Sequence, residues 1–175
     1  MNVVAFGAST SRQSINKALA SYAANLVDGA SVEVLDLNDF ELPMFSVDVE
    51  AALGQPQAAK DFLAKLAAAD AIVVSFAEHN GGYAAAYKSL LDWASRITRE
   101  IFAHKPVLHL ATSPGARGGA SVLAAADGSA QFFAADLKGS LSVPKFYEVF
   151  DAERGELTDA ALKAQLVGLV NQLKL

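Results

Sequence analysis

The chain has 175 residues, a formal net charge of −5 and no cysteine. This length suits one domain with its own core, and the missing thiols exclude disulfides, thiolate metal sites and a cysteine nucleophile. The acidic balance argues against a nucleic-acid partner, and the apolar runs are too short to span a bilayer. Because the N-terminus has the pattern of a strand rather than an export signal, we expect one cytoplasmic domain, residues 1–175.

Short β-branched runs alternate with helical patterns along the chain. In chain order the pattern predicts a strand at 3–6, a helix at 15–27, a strand at 31–35, a loop at 38–56, a helix at 57–69, a strand at 71–76, a helix at 84–97, a strand at 106–111, a helix at 120–135, a strand at 141–143 and a helix at 159–173. Five strands separated by helices predict an α/β fold with an open parallel sheet and helices on both faces.

Three connections of this predicted sheet are rich in glycine, serine, threonine and asparagine. They follow the first, third and fourth strands, at 9–14, 77–83 and 112–119. In open parallel sheets, ligands bind beyond the carboxyl ends of the strands, where the strand order switches. We therefore expect these three connections to form one ligand site.

The first connection carries four hydroxyl side chains directly before a helix, namely Ser9, Thr10, Ser11 and Ser14. Hydroxyls and free N–H groups at a helix N-terminus bind anions, although a capping serine in a solvated loop explains the pattern too. Gly7 lacks the further glycines of a dinucleotide site, and the Gly-Lys-Ser/Thr of a nucleoside triphosphate loop is absent. The loop fits one phosphate monoester, such as that of FMN. Arg12 either pairs with this phosphate or points to solvent.

The second and third connections combine hydrogen-bonding side chains with flexible backbone. Glu78, His79 and Asn80 would suit the edge of a flat heteroaromatic ring, while a simple turn at Asn80-Gly81 is the alternative. Gly118-Gly119 opens the next helix and would let backbone approach a ligand closely; here too, an ordinary turn is the alternative.

Three motifs stand in these connections, in order, between residues 3 and 123. Their residues are Ser9, Ser14 and Asn16; then Glu78, Asn80, Gly81, Lys88, Asp92 and Trp93; then Ser113, Pro114, Gly115, Gly118 and Gly119. They resemble the Gly-Ser-x-Arg-x-x-Ser-x-Asn, Pro-Glu-Tyr-Asn-Gly-Ser and Ser-Pro-Gly-x-x-Gly-Gly motifs of the NADPH-dependent FMN reductase family. This family of flavodoxin-like flavoproteins includes quinone, azo-dye and chromate reductases.

The chain departs from the family pattern at several positions. Ser11 stands where the family has arginine, and Arg12 follows one place later. Ala77 replaces the usual proline and His79 the usual tyrosine, and residues 84–85 are alanines instead of a Pro-Gly pair. These departures affect the expected phosphate contact and the expected flank of the flavin.

The resemblance implies a flavodoxin-like, FMN-binding domain that passes electrons from NADH or NADPH through FMN to a small acceptor such as a quinone. Alternatives are an FMN reductase that releases reduced flavin to a partner, and a flavodoxin-like electron carrier. Since the flavin carries the chemistry, no catalytic side chain and no metal are expected.

The resemblance also assigns site residues and a quaternary structure. Phosphate binding falls to Ser9, Ser11, Ser14, Ile15 and Asn16; ring contacts fall to Glu78, His79, Asn80 and Gly81; and backbone contacts on the other side fall to Ser113, Gly115, Gly118 and Gly119. A homodimer or homotetramer is expected. Tyr83, Tyr87 and Trp93 are candidate interface residues, although aromatic residues at helical spacing more often lie in a core.

Overall fold

A computed structural model describes residues 1–174 of the chain. The strands are β1 (Asn2–Ala8), β2 (Ser31–Leu35), β3 (Ala71–Phe76), β4 (Glu78–His79), β5 (Gly82–Tyr83), β6 (Pro106–Thr112), β7 (Asp136–Val143), β8 (Phe150–Asp151) and β9 (Glu156–Leu157). The α-helices are α1 (Ile15–Asn25), α2 (Val47–Leu53), α3 (Gln57–Ala68), α4 (Ala85–Ile97), α5 (Ala120–Ser129), α6 (Phe146–Val149) and α7 (Ala160–Gln172). Short 3-10 helices cover Leu37–Phe40 and Ala130–Phe133.

Five of the strands form one parallel sheet in the order β2-β1-β3-β6-β7. Residues of α1 and α7 pack on one face of this sheet, and residues of α3, α4 and α5 pack on the other. The strand order switches between β1 and β3, which is the point where a flavodoxin-like sheet binds its ligand. The predicted flavodoxin-like α/β fold is confirmed.

Burial explains which strands the sequence predicted well. All six residues of β3 are buried, because helices cover the central strands on both faces, and this strand matches its prediction. The edge strand β7 begins at Asp136 instead of 141, since its first five residues are only partly buried or exposed and lack an apolar pattern. The predicted helix 120–135 accordingly ends at Ser129 and continues as the 3-10 helix.

The predicted loop at 38–56 contains helical structure, so this prediction is wrong in part. Ser46 caps α2, its hydroxyl oxygen accepting from the backbone N–H of Val49 at 3.1 Å. None of the residues of α2 is buried, so the helix leaves no apolar periodicity in the sequence.

The aromatic residues of α4 belong to the core rather than to an exposed surface. Tyr87 and Trp93 are 3% and 0% exposed, and the Trp93 indole N–H donates to the carbonyl of Pro43 at 2.8 Å. Tyr83 is partly buried and contacts Tyr87 edge-on. The suggestion that these three side chains form an interface is therefore corrected for Tyr87 and Trp93.

An ion pair joins the first turn of α1 to the end of β2. The Lys17 ammonium lies 2.6 Å from the Asp36 carboxylate, which also accepts from the backbone and side-chain N–H groups of Asn38. These interactions, the hydrogen bond from Lys17 most of all, lower the pKa of Asp36 to about 2. A carboxylate with a lowered folded-state pKa stabilises the fold above its ordinary pKa and loses that contribution as the pH falls.

We expect Asp36→Asn to lower the free energy of unfolding near neutral pH, with the difference from wild type disappearing as the pH falls from about 4 to about 2. Urea unfolding across this range measures the effect. Glu153→Gln, at an exposed side chain, is the control for the loss of one negative charge. A difference that stays constant down to pH 2 would contradict the assignment.

Candidate functional site

A cleft of about 180 Å³ lies at the carboxyl edge of the sheet, where the connections after β1, β3 and β6 meet. The lining residues that the sequence predicted are Ser9, Ser11, Ser14, Ile15, Asn16, Glu78, His79 and Ser113. Four more lining residues belong to the predicted connections but were given no role of their own, namely Gln13, Ala77, Thr112 and Pro114. Tyr147 lies outside these connections and was not predicted. The three predicted connections therefore do meet at one place.

Other predicted site residues lie outside this lining. Asn80 and Gly81 form the exposed turn of the β4–β5 hairpin, with φ angles of 52° and 78°. Gly115 is exposed, whereas Gly118 and Gly119 are buried. Their roles toward a ligand stay predictions.

The start of α1 presents uncharged hydrogen-bond donors to the cleft. The Ser14 hydroxyl oxygen accepts from the Lys17 N–H, and that of Ser9 accepts from the Ser11 N–H, each at 3.1 Å. Each hydroxyl therefore keeps its own hydrogen to donate. The backbone N–H groups of Ile15 and Asn16 have no acceptor among residues 1–174. Together with the helix dipole, these groups can bind an anion.

The nearby cations are directed elsewhere. Lys17 is paired with Asp36, and neither Lys17 nor Arg12 lines the cleft. Arg12 is exposed and lines a neighbouring cleft of about 610 Å³, between the loop after β2 and the start of α4. An anion in the first cleft would therefore be held by dipoles and hydroxyls alone.

Asn16 connects the start of α1 to two strands of the sheet. It is 3% exposed; its side-chain oxygen accepts from the Ser75 hydroxyl at 2.7 Å and the Thr112 N–H at 3.0 Å, and its amide donates to the Thr112 carbonyl at 3.2 Å. One amide hydrogen is left for a ligand. The predicted phosphate residue is thus also a structural residue, a role that sequence reasoning missed.

Gly118 is required by packing against the end of β7. Its φ is 56°, and an added Cβ would lie 2.5 Å from the Ser142 hydroxyl oxygen and 2.7 Å from the backbone nitrogen of Pro144. The neighbouring Gly119, also at positive φ, packs against Ala111 in the same way. Close backbone approach does occur here, but toward the protein's own strands.

Thr112 and Tyr147 line the cleft without having been predicted as site residues, for different reasons. Thr112 begins the polar connection 112–119, and its hydroxyl donates to the Val143 carbonyl at 2.6 Å. Tyr147 lies on α6 and is 71% exposed. No pattern marked α6, because this helix has only four residues.

Residues 1–147 match the family model described as NADPH-dependent FMN reductase. The chain belongs to this family. Among curated relatives, an NAD(P)H-dependent FMN reductase of Pseudomonas aeruginosa is 35% identical over 119 residues, which is 67% of this chain and 63% of that protein. A quinone reductase of Escherichia coli is 33% identical over 92 residues, 52% of this chain and 49% of that protein. The aligned part thus spans about half to 63% of these reductases.

Solved structures show the same fold over almost the whole chain. The flavoenzyme NAD(P)H:(acceptor) oxidoreductase FerB of Paracoccus denitrificans superposes with a TM-score of 0.75 at 24% identity, covering 98% of this chain and 94% of that one. An azoreductase of Bacillus anthracis gives a TM-score of 0.62 at 16% identity, with complete coverage of both chains. The reductase-family fold therefore extends beyond the residues that the family model matches.

We expect Asn16→Asp to lower the free energy of unfolding by about 1–3 kcal/mol, because a carboxylate oxygen would replace the amide donor that faces the Thr112 carbonyl. Urea unfolding measures this. Gln165→Glu, an exposed amide-to-carboxylate change on α7, is the control. Wild-type stability in Asn16→Asp would show that the bonds to the sheet contribute little.

Gly118→Ala should also destabilise the fold by about 1–3 kcal/mol, since the new Cβ meets the Pro144 backbone at a positive φ. Gly128→Ala in α5, where a Cβ meets nothing within 4 Å, is the matched control and should be neutral or stabilising. Unchanged melting of Gly118→Ala would restore the ligand-facing role of this glycine.

Proposed function

We propose that the chain is an FMN-dependent NAD(P)H oxidoreductase that passes electrons to a small acceptor such as a quinone. The uncharged donor set at the start of α1, beside the exposed β4–β5 hairpin, carries this proposal. Family membership and the names of the Pseudomonas and Escherichia relatives support it. The domain 1–175 would be one FMN-binding unit.

The donor set suits the phosphate end of FMN. The donors are the hydroxyls of Ser9 and Ser14 and the backbone N–H groups of Ile15 and Asn16. All four residues line the cleft, which lies at the positive end of the α1 dipole. A volume of about 180 Å³ is below the roughly 300–1,000 Å³ usual for ligand pockets. We therefore assign only the phosphate end to this cleft.

The ring would lie against the neighbouring hairpin and the connection after β6. Glu78 and His79 line the cleft from one side and Ser113 from the other, with Asn80 and Gly81 at the hairpin turn. Bound FMN would supply the hydride and electron transfer, and the protein would bind and orient the reactants. The exposed His79 offers an incoming acceptor a flat face and a hydrogen-bonding nitrogen.

A second candidate function is that of an FMN reductase that releases its reduced flavin to a partner. One observation favours it: the cleft lining has no cation, because Ser11 replaces the family arginine and Lys17 pairs with Asp36. Hydrogen bonds to phosphate from charged donors are stronger than those from neutral ones, so FMN would exchange more readily here. An electron carrier ranks third, since a net charge of −5 provides only a modest acidic docking surface.

We further infer self-association as a homodimer or homotetramer. Met44, Val47 and Leu53 are each more than 60% exposed around α2, next to the exposed Ala85 and Ala86 of α4. Clustered exposed apolar side chains mark protein interfaces. Within residues 1–174, no helix is long and apolar enough to cross a membrane. A cytoplasmic location stays a prediction.

Steady oxidation of NADH or NADPH by the purified protein, with FMN and a quinone, tests the proposal. We expect continuous turnover that depends on FMN, and self-associated protein in light scattering. Flavin that stays bound through gel filtration indicates a prosthetic group, whereas flavin lost there supports the reductase alternative. Flavin binding without steady turnover would indicate a carrier, and no flavin binding would overturn all three functions.

Ser11→Arg should tighten FMN binding about tenfold or more, because it returns a charged donor to the loop of the phosphate site. Riboflavin lacks the phosphate, so its affinity should not change. Fluorescence titration of both flavins measures the difference. Gln131→Arg, an exposed position after α5, is the control for added charge. Equal gains for both flavins would contradict the phosphate assignment.

A further inference from the structure

A third cleft, of about 700 Å³, lies between α1 and the segment around α6. Its lining residues are Gln13, Ser14, Ile15, Ala18, Ser21, Tyr22, Asn25, Phe146, Tyr147, Phe150, Ala152 and Gly155. We call it the aromatic cleft. Its volume falls in the roughly 300–1,000 Å³ range of small-molecule pockets. None of the hairpin residues 78–83 lines it.

Aromatic side chains form one wall of the aromatic cleft. The Phe146 and Phe150 rings stack at 4.6 Å, and Tyr22 meets Phe150 edge-on at 5.9 Å. Tyr147 lies on the neighbouring α6 position and is largely exposed. Such a wall favours a flat aromatic ligand, because offset and edge-on ring contacts add to the burial of apolar area.

The aromatic cleft has no charged residue in its lining. Its polar side-chain groups are the amides of Gln13 and Asn25 and the hydroxyls of Ser14, Ser21, Tyr22 and Tyr147. The Tyr22 hydroxyl oxygen is buried without a hydrogen-bond partner in the described part of the chain. Of the residues assigned to the phosphate, Ser9, Ser11 and Asn16 do not line this cleft, so it suits a neutral ligand better than FMN or NAD(P)H.

We propose that the aromatic cleft is an accessory binding site for an uncharged aromatic molecule of the quinone class. A quinone is flat and neutral, and its carbonyl oxygens accept hydrogen bonds from the neutral donors present. The proposal rests on the proposed function, in that it names the acceptor class that this site would hold beside the cofactor. The site binds the quinone only, and no electron transfer is assigned to it.

The aromatic cleft shares one wall with the cleft of about 180 Å³ that we assign to the phosphate end of FMN. Gln13, Ser14, Ile15 and Tyr147 line both. The backbone N–H groups of Lys145 and Phe146 donate to the carbonyls of Gly115 and Ser113, at 2.9 and 3.0 Å, which fastens α6 to the connection after β6. A quinone held here would therefore remain next to the cofactor site.

Titration of oxidised, FMN-loaded protein with 2-methyl-1,4-naphthoquinone tests this site, with NADH and NADPH left out so that no reduction occurs. We expect saturable binding that weakens at least about tenfold in Ala18→Trp, which fills the cleft. Ala124→Trp, at an exposed position of α5, is the matched control and should bind like wild type. Amide NMR shifts should change around Ala18 and Tyr22.

Tyr147→Ala gives the same test if the tryptophan prevents folding, and it should weaken binding several-fold because one aromatic wall is lost. Equal quinone affinity in wild type, Ala18→Trp and Tyr147→Ala would overturn the site. So would shift changes confined to residues 78–83, or loss of self-association in Ala18→Trp, which would make the cleft an interface between copies. Repeating the titration on protein without FMN shows whether quinone binding depends on the flavin. A failure of the aromatic cleft is thereby distinguished from a failure of flavin binding.

Discussion

The hydrogen bonds of one buried side chain determine the geometry on which the candidate functional site depends. Asn16, the second residue of α1, joins the helix to Ser75 of β3 and to both backbone groups of Thr112 at the end of β6. Gly7 makes this position possible, because an added Cβ there would collide with the Lys17 backbone. The helix therefore begins at the sheet edge where β1, β3 and β6 end, and its first two N–H groups have no acceptor among residues 1–174.

This arrangement gives the start of α1 oriented hydrogen-bond donors, none of which is charged. Lys17 stands in the first turn of α1, yet Asp36 holds its ammonium at the end of β2. Binding then relies on donors whose positions the fold fixes in advance, and such preorganised groups cost little entropy when a ligand arrives. The strength that a charged donor would add is absent, so geometry rather than charge would select the ligand. The ion pair between Lys17 and Asp36 would thus leave a phosphate at the start of α1 without a lysine partner.

The fold could be predicted from the sequence where buried residues leave a recognisable apolar pattern. Strand β3 was predicted with its observed bounds, because all of its residues are covered on both faces. Helix α2 was missed because none of its residues is buried, and the first half of β7 because it lies at a partly exposed edge. The polar connections were found from their composition and from their positions after predicted strands. The bonds of Asn16 span 59 and 96 positions, and no local pattern signals contacts of that range.

The first turn of α1 lies between two clefts, and this limits which residue types its positions can hold. The N-cap residue Ser14 lines both clefts and supplies a hydroxyl, whereas Ala18 lines only the aromatic cleft and supplies a small apolar side chain. Ile15 lines both clefts. Ser14, which belongs to the motif that resembles a phosphate loop in sequence, is therefore also part of the wall of the aromatic cleft. Gly118 can likewise be interpreted in two ways. In sequence it suggests close approach of a ligand, whereas in the structure a side chain there would collide with Ser142 and Pro144.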